Sequence, residues 1–157
     1  MKAVIATQYG GPEVLQLKEV DKPQPRDNEL LITGRATPVT AADMRMRSFT
    51  VPPRLWLPAR LSLGLTKPRR PIYGVELAGD VEAIGQGVTR FKVGDPVFAS
   101  TLVANFGAHA EYKCLAEDGL VLGKPQNMTY EEAAAVPTGG AAALRLLRKG
   151  QIRQGQK

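Results

Sequence analysis

Few side chains here belong to the types that do chemistry unaided, and their spacing limits what they can do. His109 stands five positions before Cys114, and the chain has one histidine and one cysteine in all. A tetrahedral zinc needs four donors, and one imidazole with one thiol does not supply them. Read on a single strand, the odd separation also sends the two side chains to opposite faces, so Cys114 has no base beside it. The reading is a chain with no metal site, in which Cys114 is a buried apolar thiol. Gly85-Gln86-Gly87 and Gly139-Gly140 invite a phosphate-cradle reading. Such a cradle needs glycines between a strand and a helix, so that the anion sits on the helix N-terminus. Gly85-Gln86-Gly87 lacks the third glycine and runs into another strand pattern, and Gly139-Gly140 has no strand ahead of it. Both read as turn or packing glycines. Tyr73, beside Gly74, could donate to a substrate oxygen or could simply pack at the start of a strand.

The elements that must position these residues are mostly strands. Lys2–Thr7 is short and stopped by a Gly-Gly-Pro turn; Val14–Val20 alternates Leu15 and Leu17 against Gln16 and Lys18, as a half-buried strand does. Glu29–Ala36 is more apolar and more central. Thr40–Arg47 loses the period of two and reads as a short helix capped by Thr40 through Asp43. Ser48–Pro71 carries five prolines, the single Trp56 and a series of leucines. It is either a lid or binding loop, or a segment whose leucines fill the core, and a short helix near Leu55–Leu65 fits both. Strands return in Leu77–Ile84, Phe91–Phe98, Ala108–Leu115 and Leu120–Leu122, about seven in all, as in a barrel or sandwich. Thr129 with Glu132 then caps a short helix ended by Pro137, and Ala141–Lys149 reads as a second helix with Leu144 and Leu147 inward. Gln151–Lys157 reads as a loop leading onward.

Composition sets the outer bounds. The 157 residues are 43% hydrophobic and 23% charged, an ordinary globular balance for about one domain. Nothing approaches the roughly 18 uncharged apolar residues of a membrane span, and the N-terminus breaks off before a signal-peptide core, so no membrane is expected and the cytoplasm is the default location. The net charge of +6 is spread over small clusters such as Lys67/Arg69/Arg70, without interleaved aromatics, which argues against a nucleic-acid partner.

Glu82-Ala83-Ile84-Gly85, followed by Val88 and then Phe91-Lys92-Val93-Gly94-Asp95-Pro96-Val97, resembles the medium-chain dehydrogenase/reductase signature E-x-x-G…V…F-x-x-G-D-x-V. The opening Lys2-Ala3-Val4 with Tyr9-Gly10-Gly11-Pro12 and the run from Glu131 to Leu144 resemble the quinone-reductase-like branch of that superfamily. The resemblance implies a mainly β fold with short helices: a partly open, co-chaperonin-like (GroES-like) catalytic barrel over 1–157. In that reading the stretch from about 128 begins the connection to a Rossmann domain that binds NAD(P)H and lies beyond this sequence. It implies an oxidoreductase that delivers hydride from NAD(P)H, NAD or NADP being left open, to a quinone, an enone or another activated double bond, with the full-length protein a homodimer. The chain alone is expected to be inactive. Zinc is not expected, because the ligand positions of zinc-dependent members fall on Thr40 (where they carry Cys) and on Val75 in Gly74-Val75-Glu76. By resemblance, Thr40 stands near the nicotinamide carboxamide, Thr138 lines the cofactor cleft, and Arg47 matches an arginine of an R-S-G-like segment in which Phe49 replaces the glycine. Thr40, Arg47 and Tyr73 are thus the candidate catalytic residues, and Thr40 and Thr138 the candidate cofactor contacts. Asp43 and Glu76, left from the zinc constellation, are expected to pair with Arg47 or with backbone. A stand-alone co-chaperonin-like interaction module, without activity, is the competing reading.

Overall fold

The apolar residues of the third and fourth strand patterns find one another across the centre of a curled sheet. In the computed structural model, which describes residues 1–151, β3 (Glu29–Ala36) pairs antiparallel with β4 (Glu76–Ile84), and the full sheet runs β6-β3-β4-β5-β7. The outer members are β5 (Pro96–Ser100), β6 (Tyr112–Ala116) and β7 (Val121–Gly123). Register shifts between Leu31 and Ile32 and between Gly34 and Ala36 bend β3 against β4, which curls the sheet toward a half-barrel. Leu30, Ile32, Leu77, Val81, Val97 and Val121 fill the inside and are essentially unexposed. Each such aliphatic side chain contributes about 1.5–3 kcal/mol relative to leaving it in water.

A separate two-stranded ribbon, β1 (Lys2–Ala6) with β2 (Leu15–Glu19), is stitched to the barrel by the Val4 N–H donating to the His109 carbonyl at 2.9 Å and the Ala6 N–H to Pro71 at 2.8 Å. Here the alternation in the sequence misleads. Leu15 and Leu17 share a face, but that face is exposed and borders a cleft, because β2 is an outer strand with nothing packed on it.

The helices lie at the barrel ends. α1 (Ala41–Ser48) ends at Phe49, whose φ of 52° is left-handed, the conformation that favours glycine. Packing explains its persistence: the Phe49 ring is buried edge-on between Tyr9 (4.9 Å) and Trp56 (6.3 Å). α2 (Trp56–Leu63) carries the expected short helix, yet Leu55, Leu57, Leu61 and Leu65 are all exposed, so they do not fill the core. α3 (Tyr130–Ala134) has the expected Thr129–Glu132 box. Pro137 does not end that helix but opens the next, α4 (Pro137–Lys149), at the position where its missing N–H costs nothing. Gly139 and Gly140 therefore sit inside α4. Leu144 and Leu147 are not buried as expected; both are about half exposed, Leu144 at a groove between α4 and the strands. The loop expected beyond Gln151 lies outside the described residues. Among these, no helix is long and apolar enough to cross a membrane.

Candidate active site

The Thr-x-x-Asp pattern folds into a capping box, and the box is also the corner of a cleft. Asp43 Oδ2 accepts from the Thr40 N–H at 2.8 Å and from the Thr40 hydroxyl at 2.7 Å, while Oδ1 accepts from the Gly74 N–H at 3.0 Å. Asp43 is 4% exposed, so its carboxylate is spent on three donors, two of them backbone. The expected partner was Arg47 or backbone; it is backbone, together with the Thr40 hydroxyl. Gly74 has φ +97°, and a Cβ there would lie 2.6 Å from the His109 nitrogen. Glycine at 74 therefore lets the chain ahead of β4 bond Asp43 while the His109 segment passes against it.

The cleft in front of this corner holds about 610 Å³. Leu15, Leu17, Val39 and Met44 give it apolar walls, and Lys2, Thr37, Asp43, Arg47, Tyr73, His109 and Glu111 are its polar points. Arg47 is anchored rather than free: its guanidinium donates to the Gly10 carbonyl at 3.2 Å, and the Gly10 N–H returns a bond to the Arg47 carbonyl at 2.9 Å. Tyr73 is 5% exposed and its hydroxyl has no hydrogen-bond partner among the described residues. Burial pushes that phenol up to about 12, so it is a donor and not a base near neutrality. His109 Nε2 lies 3.2 Å from the Pro38 carbonyl; an acceptor there assigns the proton to Nε2 and leaves Nδ1 as the free acceptor.

Thr138 stands elsewhere. It borders a second groove of about 760 Å³ between α4 and strands β5 and β7, with Ser100 and Leu144. One residue joins the two sites. The Glu76 side chain accepts from the Thr138 N–H at 2.5 Å, and the Glu76 backbone carbonyl accepts from the Thr37 hydroxyl at 2.8 Å. Thr37 in turn lines the first cleft. The structure thus gathers Arg47 and Tyr73 in one cleft, places Thr40 behind them through Asp43, and ties Thr138 in through Glu76.

The donor set does not fit zinc. Position 75 is a valine buried to 2% exposure, Asp43 is fully engaged, and the Glu76 carboxylate is bonded to Thr138. Among the described residues no three His, Cys, Asp or Glu side chains gather as ligands. Cys114 is separate again. His109 lies in the loop before β6, so the strand-parity argument does not apply to the pair; they differ because His109 lines the cleft and Cys114 a cavity along β6. Burial pushes the Cys114 thiol up to about 11, which leaves it largely protonated and unreactive near neutrality. Gly85 is a packing glycine: a Cβ there would fall 1.9 Å from the Arg26 carbonyl. Among the described residues no strand–glycine turn–helix remains to cradle a pyrophosphate.

Sequence reasoning missed the part played by Thr37 and His109. Thr37 could have been suspected, since Thr-Pro-Val-Thr puts two hydroxyls just ahead of a helix; His109 gave no signal, because its role comes from a loop that crosses Gly74.

A family model described as the alcohol dehydrogenase GroES-like domain matches residues 26–148. The chain belongs to that family. This GroES-like domain is 36% identical over 138 residues to the quinone oxidoreductase of Lama guanicoe, covering 87% of this chain and 37% of that protein. It is 38% identical over 141 residues to the quinone oxidoreductase of Pseudomonas aeruginosa, covering 90% and 38%. The structure of the Coxiella burnetii quinone oxidoreductase superposes with a TM-score of 0.82 at 28% identity, covering 99% of this chain and 46% of that one. The Escherichia coli quinone oxidoreductase, solved in complex with NADPH, gives 0.75 at 28% identity, covering 96% and 41%. The chain therefore spans roughly two-fifths of the length of the curated relatives it matches.

Proposed function

We propose that this GroES-like domain shapes the substrate cleft of a zinc-independent NAD(P)H-dependent oxidoreductase that reduces a quinone, an enone or another activated double bond. The observation that carries the reading is the cleft itself: an apolar slot with polar donors beside it and, among the described residues, no side chains arranged to ligate a metal. The absent cofactor supplies hydride. The chain's own residues then have to hold the acceptor, exclude water, and put a donor where negative charge develops on oxygen. Tyr73 is such a donor once a small side-chain movement uncovers its hydroxyl, which has no partner among the described residues and stays protonated far into the alkaline range. Arg47 serves the same charge from a guanidinium with one arm already pinned to Gly10.

Thr40 suits a different task. Its hydroxyl proton goes to Asp43 and it accepts, at 3.4 Å, from the Asp43 N–H, so what remains is an acceptor lone pair. That matches an amide N–H such as a nicotinamide carboxamide, not an oxyanion. Thr138, exposed at the start of α4, has a hydroxyl available to a cofactor while its N–H is held by Glu76. For the substrate, the mostly apolar walls favour a flat acceptor.

The test is NADPH oxidation with a simple quinone, run on the natural-length gene product and on these 157 residues. The longer protein is expected to turn over without added metal and to carry no stoichiometric zinc, and the short one to be silent. Tight NADPH binding by the 157 residues alone, or loss of activity on chelation, overturns the reading.

A further inference from the structure

Tyr73 borders two cavities. Besides the cleft it walls a smaller chamber of about 240 Å³, reached by Tyr9, Ser62, Arg69, Arg70 and Phe106. Among the described residues no carboxylate lines this chamber, and neither ion pair found there, Lys22–Glu82 or Arg35–Asp80, involves its arginines. Arg70 is held by a neutral partner, the Asn105 side chain. A third guanidinium stands close by: Arg60 stacks over the rings of Phe49 (3.7 Å) and Tyr9 (4.6 Å).

Two buried polar side-chain atoms lack a partner among the described residues, the Tyr73 hydroxyl and Arg60 Nε. One belongs to the chamber wall and the other to a side chain packed on that wall. Unpartnered buried polar atoms are rare enough to need a cause, and here both are donors beside concentrated positive charge. Both atoms are sealed from solvent and do not reach into the chamber; what an anion there balances is the charge of Arg69 and Arg70, whose guanidinium forks match a carboxylate in charge and geometry. The size and the aromatic walls, Tyr9, Tyr73 and Phe106, then select a single flat ring over a long chain.

We propose that this chamber binds a small organic carboxylate carrying a planar apolar body, with Arg69 and Arg70 taking the carboxylate. The chamber shares its Tyr73 wall with the cleft, but the carboxylate rests on Arg69 and Arg70, and the proposal stands whether or not the protein reduces quinones.

The test is calorimetric titration of the 157-residue chain at matched ionic strength, with benzoate, its uncharged isostere benzamide, and inorganic phosphate. Benzoate is expected to bind about tenfold or more tighter than either of the others, since a charge-assisted fork outweighs a neutral contact. Arg69→Gln is expected to weaken benzoate by about fivefold or more with the melting temperature unchanged, as the Arg69 backbone N–H and not its side chain ties the segment to Leu63. If Arg69→Gln melts early, Arg70→Gln decides by the same criterion. Benzamide matching benzoate, phosphate matching or exceeding it, or affinity unmoved in the deciding arginine variant overturns the proposal. No arm uses a quinone or a nicotinamide, so its failure is distinct from failure of the oxidoreductase reading.

Discussion

The chain uses one local device twice, to different ends. Thr40 with Asp43 and Thr129 with Glu132 form capping boxes of the same chemistry, hydroxyl to N3 amide and carboxylate back to the cap amide. At α3 the box is exposed and closes on itself. At α1 the acid is one carbon shorter and buried, and its second oxygen reaches 31 positions along the chain to the Gly74 amide. The first box only starts a helix. The second also fixes the backbone between Tyr73 and β4, and thereby the wall of the cleft. A capping signature in sequence therefore says that a helix begins, and burial decides whether it does anything further.

The contrast can be broken most forcefully at Asp43. Asp43→Ala removes a cap and strands a buried Gly74 N–H, so it is expected to cost about 2–4 kcal/mol in denaturant unfolding. Thr40→Ala loses the cap but leaves the Asp43–Gly74 bond, for about 1–2 kcal/mol; in the natural-length protein it is also expected to slow turnover more than Thr40→Ser does. Thr129→Ala tests the exposed box and is expected to cost about 0.5–1 kcal/mol, with turnover unchanged. Equal losses at Asp43 and Thr129 would erase the distinction drawn here.

The smallest effect near neutrality is one of pH. The folded-state pKa of Tyr73 lies above its ordinary value of 10.0, at about 12, so the fold favours the protonated phenol. That contribution is whole below about pH 10 and fades as pH rises toward 12. Phenolate absorbance should show a late-titrating tyrosine that Tyr73→Phe removes, and the variant's stability should fall less steeply over the same range.

Much of this was legible before any coordinates. The strand Glu29–Ala36, the Thr40 cap and the Thr129 cap depend on neighbouring residues alone, and local chemistry identifies them. Leu15 and Leu17 were misleading because alternation reports a two-faced strand, not whether anything lies against its apolar face. Leu144 and Leu147 were misleading for the same reason on a helix. Pro137 was placed at the wrong end of a helix because proline stops one helix and starts another equally well. In the site, Arg47 and Tyr73 line one cleft, although resemblance singled out the first and a place beside Gly74 the second, whereas the Glu76 link to Thr138 crosses 62 positions and had no local mark.

That link has a mechanical consequence. Glu76 is 3% exposed and bonds the first turn of α4 from inside the sheet, so swinging α4 outward would strand a buried carboxylate whose one hydrogen bond among the described residues is to Thr138. The opening turn of the helix should accordingly travel with the barrel as one rigid piece. Any pivot through which this domain yields to a neighbour has to be sought further along the chain than Thr138.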